Sequence, residues 1–244
     1  TTTVYDRQGN SILIVYPDFS SVKYTYNSAG LLERIERNEG DARGYVDIIS
    51  DLDYSPMDQI ATAVYVNGVT TTNDYDASTL YRLTRRLTQN ASSLKLQDLN
   101  YTYDNVGNIT IIVDDSDTTA AKTASYGYDD LYRMTTATIT NTANSANYTH
   151  TYTYDILGNI LTGLIGTYLY QGGTGMLTAN PHAATSINSI THTYDNDGNL
   201  LTNGTLTNTW NWRDQLTKTV MGSTTVNYTY DHEGNRARYK VGSL

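Results

Sequence analysis

Short runs in which aromatic or aliphatic residues alternate with threonine and other polar residues recur along the chain, many of them closed by Asp or Asn and then Gly. In Val64-Tyr65-Val66-Asn67-Gly68-Val69-Thr70-Thr71-Thr72 the alternation puts successive side chains on opposite faces of a strand. Asn-Gly between two such runs is the strongest short hairpin signal. Tyr101-Thr102-Tyr103-Asp104-Asn105-Val106-Gly107-Asn108-Ile109-Thr110 carries the same message in another form. Its tyrosines, two residues apart, share one strand face. Asp104 opens a turn because its carboxylate accepts a backbone N–H two residues on, and Gly107 supplies the positive φ that closes it. Asn108, Ile109 and Thr110 start the return strand. The pattern predicts an antiparallel hairpin with a type I-like turn. Leu80–Leu87 also reads at helical spacing, but it lies where a return strand belongs and is assigned to strand.

The second hairpin form repeats. The aromatic residue before each turn is Tyr5, Tyr26, Tyr54, Tyr75, Tyr103, Tyr128, Tyr154, Tyr194 and Tyr230, at intervals of 21, 28, 21, 28, 25, 26, 40 and 36 residues. The last two intervals are long enough to hide degenerate copies, one near Tyr168-Leu169-Tyr170 and one at Trp210-Asn211-Trp212-Arg213-Asp214-Gln215-Leu216-Thr217. In the latter, Trp210 and Trp212 stand for the two tyrosines, ahead of a turn two residues shorter. The period of about 20–28 residues holds two strands and two turns. The predicted fold class is therefore all-β, tandem antiparallel hairpins forming a spiralling or barrel-like sheet. Asp129-Asp130-Leu131-Tyr132-Arg133-Met134 has Tyr132 where the others have Gly, which predicts a different turn. Asp114–Thr119 and residues 141–147 read as polar connectors, and Gly163–Ala184, with Gly172-Gly173 and Pro181, as the longest loop. No composition shift marks a boundary, so residues 1–244 read as a single repeat domain.

Composition changes the picture in what it excludes. The chain of 244 residues is long enough for a sizeable core. Its 23 tyrosines against one phenylalanine, with abundant Thr, Asn and Gly, suit strands and turns. A net charge of −9 argues against nucleic acid and against unassisted binding to anionic lipid. No run of about 18 apolar residues predicts a membrane span, and the first residues carry no signal-peptide pattern. With no Cys there is no disulfide, thiolate metal site or Cys nucleophile. The Asn-X-Ser/Thr triplets at Asn90, Asn100, Asn108, Asn147, Asn203 and Asn227 are those expected in an Asn/Thr-rich chain.

From Tyr5 to Arg236 the repeats resemble the YD-repeat (Rhs) family, as do Leu96-Gln97-Asp98-Leu99-Asn100-Tyr101-Thr102-Tyr103-Asp104, Tyr128-Asp129-Asp130-Leu131-Tyr132-Arg133 and Pro181-His182-Ala183-Ala184-Thr185-Ser186-Ile187. The resemblance implies an antiparallel sheet spiralling into a hollow shell. In bacterial Rhs proteins and insecticidal toxin complexes such shells enclose a toxic polypeptide, and in animal teneurins a similar shell supports adhesion. The Asp-Pro-X-Gly element that ends many Rhs shells by self-cleavage is not found in this sequence. Neither end of the sequence shows a capping element, which points to a segment of a larger shell or to open edges that pair with other copies.

Candidate chemistry is sparse. Asp195-Asn196-Asp197-Gly198-Asn199 resembles half a calcium loop, but Leu200, Leu201 and Thr202 stand where a bidentate carboxylate belongs, so the hairpin turn is the simpler account. Asp114, Asp115 and Asp117 read as a solvated acidic loop. Among His150, His182, His192 and His232 no spacing suits a metal. His182, in the long loop, is the least explained by the repeat and is the place to seek an acid–base group if the chain is an enzyme. The tyrosine rows pack as cross-strand ladders or, alternatively, stack on sugar rings. The resulting expectation is a non-enzymatic scaffold with no catalytic, metal or cofactor residues, secreted or at the cell surface. It would enclose or display toxin-like or other polypeptide cargo. The competing expectations are a glycan-binding adhesive module, a polysaccharide lyase or hydrolase with a groove on the sheet, and self-association through open edges.

Overall fold

The computed structural model describes residues 1–117, 119–142, 147–170 and 180–242. Among the described residues the secondary structure is all β apart from one 3-10 turn, Ala77–Thr79. Contacts group it into two compact units, residues 1–133 with 137–149, and residues 134–136 with 150–244. The first is built on a thirteen-stranded sheet: β1 (Thr2–Tyr5), β2 (Ser11–Val15), β3 (Ser21–Tyr26), β4 (Leu32–Asn38), β5 (Val46–Tyr54), β6 (Ile60–Tyr65), β7 (Thr70–Asp76), β8 (Arg82–Gln89), β9 (Lys95–Tyr103), β10 (Ile109–Asp114), β11 (Lys122–Tyr128), β12 (Met134–Asn141) and β13 (Tyr148–Thr151). The second carries a five-stranded sheet, β14 (Thr153–Tyr154), β15 (Ile160–Gly163), β16 (Gly166–Leu169), β17 (Ser186–Ile187) and β18 (Ile190–Thr191). It also carries a six-stranded one, β19 (Thr193–Tyr194), β20 (Leu200–Thr202), β21 (Leu206–Trp210), β22 (Leu216–Met221), β23 (Thr224–Tyr230) and β24 (Arg236–Val241). In every sheet each strand is bonded to its sequence neighbours.

The aromatic-Asp turns share one construction, except at Asp76, where a 3-10 turn intervenes and Tyr81 N–H donates to the Asp76 carbonyl. Asp104 N–H donates to the Asn108 carbonyl, Gly107 N–H donates back to the Asp104 carbonyl, and Gly107 sits at φ +105°. The return strand then carries one extra residue. Tyr103 lies opposite Ile109 but Thr102 lies opposite Ile111, and the same slip follows Tyr5, Tyr26, Tyr54, Tyr75, Tyr154, Tyr194, Trp210 and Tyr230. Such a bulge re-aims the strand while preserving which face the tyrosines occupy. Rows therefore run across the sheet: Tyr24, Ile35, Ile49 and Tyr65 on one face, and Lys23, Glu36 and Asp47 on the other.

Several local expectations are corrected. Tyr132 does not change the turn: it takes φ +61° and donates to the Asp129 carbonyl as Gly107 does to Asp104. Trp212 is not the second tyrosine of its copy. Trp210 fills that place, Asn211 replaces Asp, Asp214 replaces Gly at φ +56°, the turn has full length, and Trp212 is left 84% exposed at its tip. Within Gly163–Ala184, read as loop, Gly166–Leu169 is strand, and residues 171–179 lie outside the described ones. The copy sought near Tyr168-Leu169-Tyr170 has its turn at Asn180, whose carbonyl accepts from Ala183 N–H. In Leu80–Leu87 the strand begins at Arg82, and Leu80 and Tyr81 form a positive-φ turn.

Burial shows what holds this together. Among the described residues the fully buried hydrophobics are Leu52, Ala63 and Ala137, whereas Ser20, Ser21, Glu36, Asn73, Asp98, Asn159 and Thr185 are buried polar ones. Half-buried apolar rows and satisfied polar groups replace a close-packed core.

Candidate functional site

The residues the repeat sets apart are used by the fold itself. In the first unit, from Tyr26 onward, the tyrosine before the turn donates its hydroxyl to the main-chain carbonyl at the start of the preceding return strand. The pairs are Tyr26 to Ser11 (2.9 Å), Tyr54 to Leu32 (2.5 Å), Tyr75 to Ile60 (2.9 Å), Tyr103 to Leu83 (2.7 Å) and Tyr128 to Ile109 (2.7 Å). In the second unit Tyr154 donates to Met134 (2.8 Å), Tyr194 to Ala184 (2.9 Å) and Tyr230 to Leu216 (2.9 Å). Trp210 makes the same bond from its indole Nε1–H to Leu200 (2.9 Å). The donor is what these positions share, so Trp substitutes for Tyr and Phe does not. Burial raises the hydroxyl pKa of Tyr54, Tyr75, Tyr103, Tyr128 and Tyr194.

A second ladder joins the turns. The residue after the turn glycine, or its equivalent, reaches the following turn: Gln59 Nε2 to the Tyr81 carbonyl (3.3 Å), Asn159 Nδ2 to that of Pro181 (3.1 Å), Asn199 Nδ2 to Asp214 Oδ1 (2.8 Å) and Gln215 Nε2 to the Gly234 carbonyl (3.3 Å). Arg82 Nη1 does so to the Asp104 carbonyl at 2.9 Å. Sequence reasoning treated this position as the start of a strand. Its signal was a side chain with an amide or guanidinium donor following the turn.

His182 belongs to that ladder. Its Nδ1 lies 2.7 Å from Asn159 Oδ1, and the Asn159 amide also donates to Asp155 Oδ2 at 2.8 Å. Asn159 is only 7% exposed, so His182 completes the hydrogen bonding of a buried amide. His192 is used locally, Nδ1 to the Ile190 carbonyl at 3.0 Å, and His232 lies 3.8 Å from Glu233. His150 is the third residue of β13. Asp195 Oδ1 accepts from the N–H groups of Asp197 (3.1 Å) and Asn199 (2.8 Å), as Asp104 does in its own turn. Burial opposes ionisation of Asp195 and Asp104, and the hydrogen bonds together outweigh it and lower both pKa values. A cleft of about 310 Å³ beside Asp195 is lined by Asn180, Pro181, Ala183, Tyr194 and Asp197. Asp114, Asp115 and Asp117 bind Ser116 N–H, Asn100 Nδ2 and Thr119 respectively and do not converge. Among the described residues no group of three or more His, Cys, Asp or Glu is arranged to hold a metal.

The most perturbed acid is one that spacing did not flag. Asp98, 1% exposed on the face opposite the tyrosines, receives Arg85 Nε (2.7 Å), Arg85 Nη2 (2.9 Å) and Lys95 Nζ (2.5 Å). The two-pronged guanidinium contact, with Lys95 beside it, pulls its pKa down to about 2 against the cost of burial. Glu36 repeats the theme between Lys23 (3.1 Å) and Arg34 (3.4 Å). In both clusters a buried carboxylate lies beneath cations that are themselves partly exposed.

No protein-family model matches the chain. Two subunits of Yersinia entomophaga are similar to it, the toxin subunits YenC2 (33% identical) and YenC1 (32% identical), over 47% of this chain and 15% of each subunit. The chain thus matches only a small part of the length of these relatives. Among solved structures, TcdB2–TccC3–Cdc42 superposes with a TM-score of 0.73 at 23% identity, covering 96% of this chain and 13% of that one. The Tc holotoxin pore of Photorhabdus luminescens superposes with a TM-score of 0.71 at 22% identity, covering 97% and 13%. The all-β antiparallel fold is that of these toxin-complex chains.

Proposed function

We propose that the chain is a structural, non-enzymatic component of a toxin-complex-type β-shell. It would be secreted or carried at the cell surface, in a protein that encloses or displays a polypeptide partner such as a toxin-like domain. The observation that carries this is the pair of ladders. The aromatic donor is engaged with the neighbouring hairpin at nine junctions and the amide or guanidinium after the turn at five, while the turn carboxylate is held inside its own turn. The likeness to the YenC subunits supports the toxin-complex reading. The competing sugar-stacking role would draw on the tyrosines already bonded in the ladder, and a net charge of −9 suits neither nucleic acid nor polyanionic glycan.

Affinity capture of the protein from its native source, followed by limited proteolysis, tests the reading. One polypeptide is expected to co-purify and to resist trypsin until the sheets are unfolded with guanidinium. A partner cleaved equally fast before and after unfolding overturns enclosure. Turnover of a uronate polysaccharide that His182→Ala abolishes overturns the non-enzymatic reading.

A further inference from the structure

Trp212 is left over by the repeat. Its turn is closed without it: Asn211 Oδ1 accepts from the N–H groups of Arg213 (2.9 Å) and Gln215 (3.1 Å), and Asp214 N–H donates to the Asn211 carbonyl (3.1 Å). Trp210 already supplies the aromatic donor of that junction. Trp212 stands at the tip, 84% exposed, with the Arg213 guanidinium 4.6 Å from its ring centroid. A cation over one face holds the indole in place and leaves the other face to solvent. An aromatic ring fixed in advance makes contact with little further loss of freedom, and Trp and Arg lead the residues that anchor partners.

The turn before it supplies a second contact. Asn199 Nδ2 ties residues 195–198 to Asp214 Oδ1 at 2.8 Å, so the two tips are neighbours on one rim. Beside the earlier tip lies the cleft of about 310 Å³, walled by Pro181, Ala183 and Tyr194, with Asp197 on its polar side. Asp195 is spent within its own turn, its two oxygens accepting from Asp197 N–H, Asn199 N–H and Asn199 Nδ2. The Asp197 carboxylate is exposed and has no hydrogen bond or ion pair among the described residues. This turn and the two after it carry Asp195, Asp197, Asp214, Asp231 and Glu233 against the guanidinium of Arg213, with His232 beside Glu233. The rim therefore attracts cations. Its two tips are two strand spacings apart, about 9.6 Å. A polyproline II chain, rising about 3.1 Å per residue, covers that span in three residues.

We propose that this rim binds a linear basic peptide in the polyproline II conformation. A proline lies on the open face of Trp212, and three residues away a lysine puts its stem into the cleft and its ammonium against Asp197. Each part of the ligand answers a group on the rim: a flat apolar ring for the indole, a methylene stem for Pro181 and Ala183, and a cation for the unpaired carboxylate. A proline-rich segment holds this conformation before it binds, which lowers the ordering cost. A neutral sugar would cover the indole but leave Asp197 unpaired. The surface is built by turns inside one compact unit, and its use by a peptide is separate from what the sheets enclose.

The probes are acetyl-Ala-Lys-Ala-Ala-Pro-Ala-amide and its reverse, acetyl-Ala-Pro-Ala-Ala-Lys-Ala-amide, each titrated into the full chain labelled for heteronuclear NMR. The two indoles give separate N–H signals, that of Trp210 being bonded to the Leu200 carbonyl, and Trp212→Phe assigns them. At least one order of the peptide is expected to move the Trp212 signal saturably and leave that of Trp210 in place. The Trp210 signal also reports that each variant is folded. Alanine for the proline should weaken binding about tenfold. Asp197→Asn should weaken it about fivefold, and glutamate for the lysine should weaken it at least as much. A Trp212 signal unmoved by either order up to the solubility limit overturns the proposal, as does equal binding of the glutamate peptide or equal binding to Asp197→Asn. Movement by methyl glucoside and not by the peptides would make the occupant a sugar and overturn it as well.

Discussion

At the scale of single residues, the ladder gives tyrosine a role that burial alone does not. Tyr103→Phe keeps the ring and removes one hydrogen bond, leaving the Leu83 carbonyl without its donor, and should cost about 1 kcal/mol in urea unfolding. Tyr5→Phe should cost nothing measurable, because the Tyr5 hydroxyl has no hydrogen-bond partner among the described residues and the side chain is 61% exposed. Turn positions divide in the same physical way. Tyr132 holds φ +61° without a glycine, so Tyr132→Gly should be neutral to stabilising by up to about 1 kcal/mol, the relief of left-handed strain partly offset by a freer unfolded chain. Gly166→Ala should do the reverse and cost more than Gly158→Ala. A Cβ at Gly166 would overlap Asn188 Oδ1, the group that binds Thr167 N–H, whereas at Gly158 it meets nothing within 4 Å. Thermal melts of the three variants check the order.

At the scale of elements, strands that lack a close-packed core are joined by polar clusters, and β8 with β9 is the clearest pair. Asp98 has its pKa lowered from 3.8 to about 2, first by Arg85. A carboxyl whose folded value is depressed stabilises the protein above its unfolded pKa and ceases to do so as pH falls through the folded value. The contribution, about 2 kcal/mol, is therefore complete above about pH 4 and lost on the way to pH 2. Denaturant titrations at these pH values should show a smaller loss for Asp98→Asn than for the unmodified chain. Arg85→Met should be the more damaging change at pH 7, about 3 kcal/mol, since it strips a buried carboxylate of its two-pronged partner.

At the scale of the whole molecule, neighbour-only contacts make stability a sum over hairpins, with one shared vulnerability. The half-buried ladder tyrosines, Tyr54, Tyr75, Tyr103, Tyr128 and Tyr194, have pKa values raised above 10.0. A phenolate has no proton to donate, so their contribution is complete below pH 10 and lost as pH rises through the raised folded values. Ionisation followed by phenolate absorbance should coincide with loss of β-sheet circular dichroism; sheet retained after full ionisation would refute the ladder as a stabiliser. The repeat, the hairpins and the all-β class were legible in residue order because alternation, Asp and Gly act within a few positions of one another. Other assignments needed the folded chain: the partners of the tyrosine hydroxyls, the place of Trp212 at a turn tip, the αL conformation of Tyr132, the engagement of His182 with Asn159, and the closure of Asp98 by Arg85 and Lys95. Each depends on which residues of successive hairpins meet across strands, and that register is set by the repeated bulge and by distances through space that spacing along the chain does not encode.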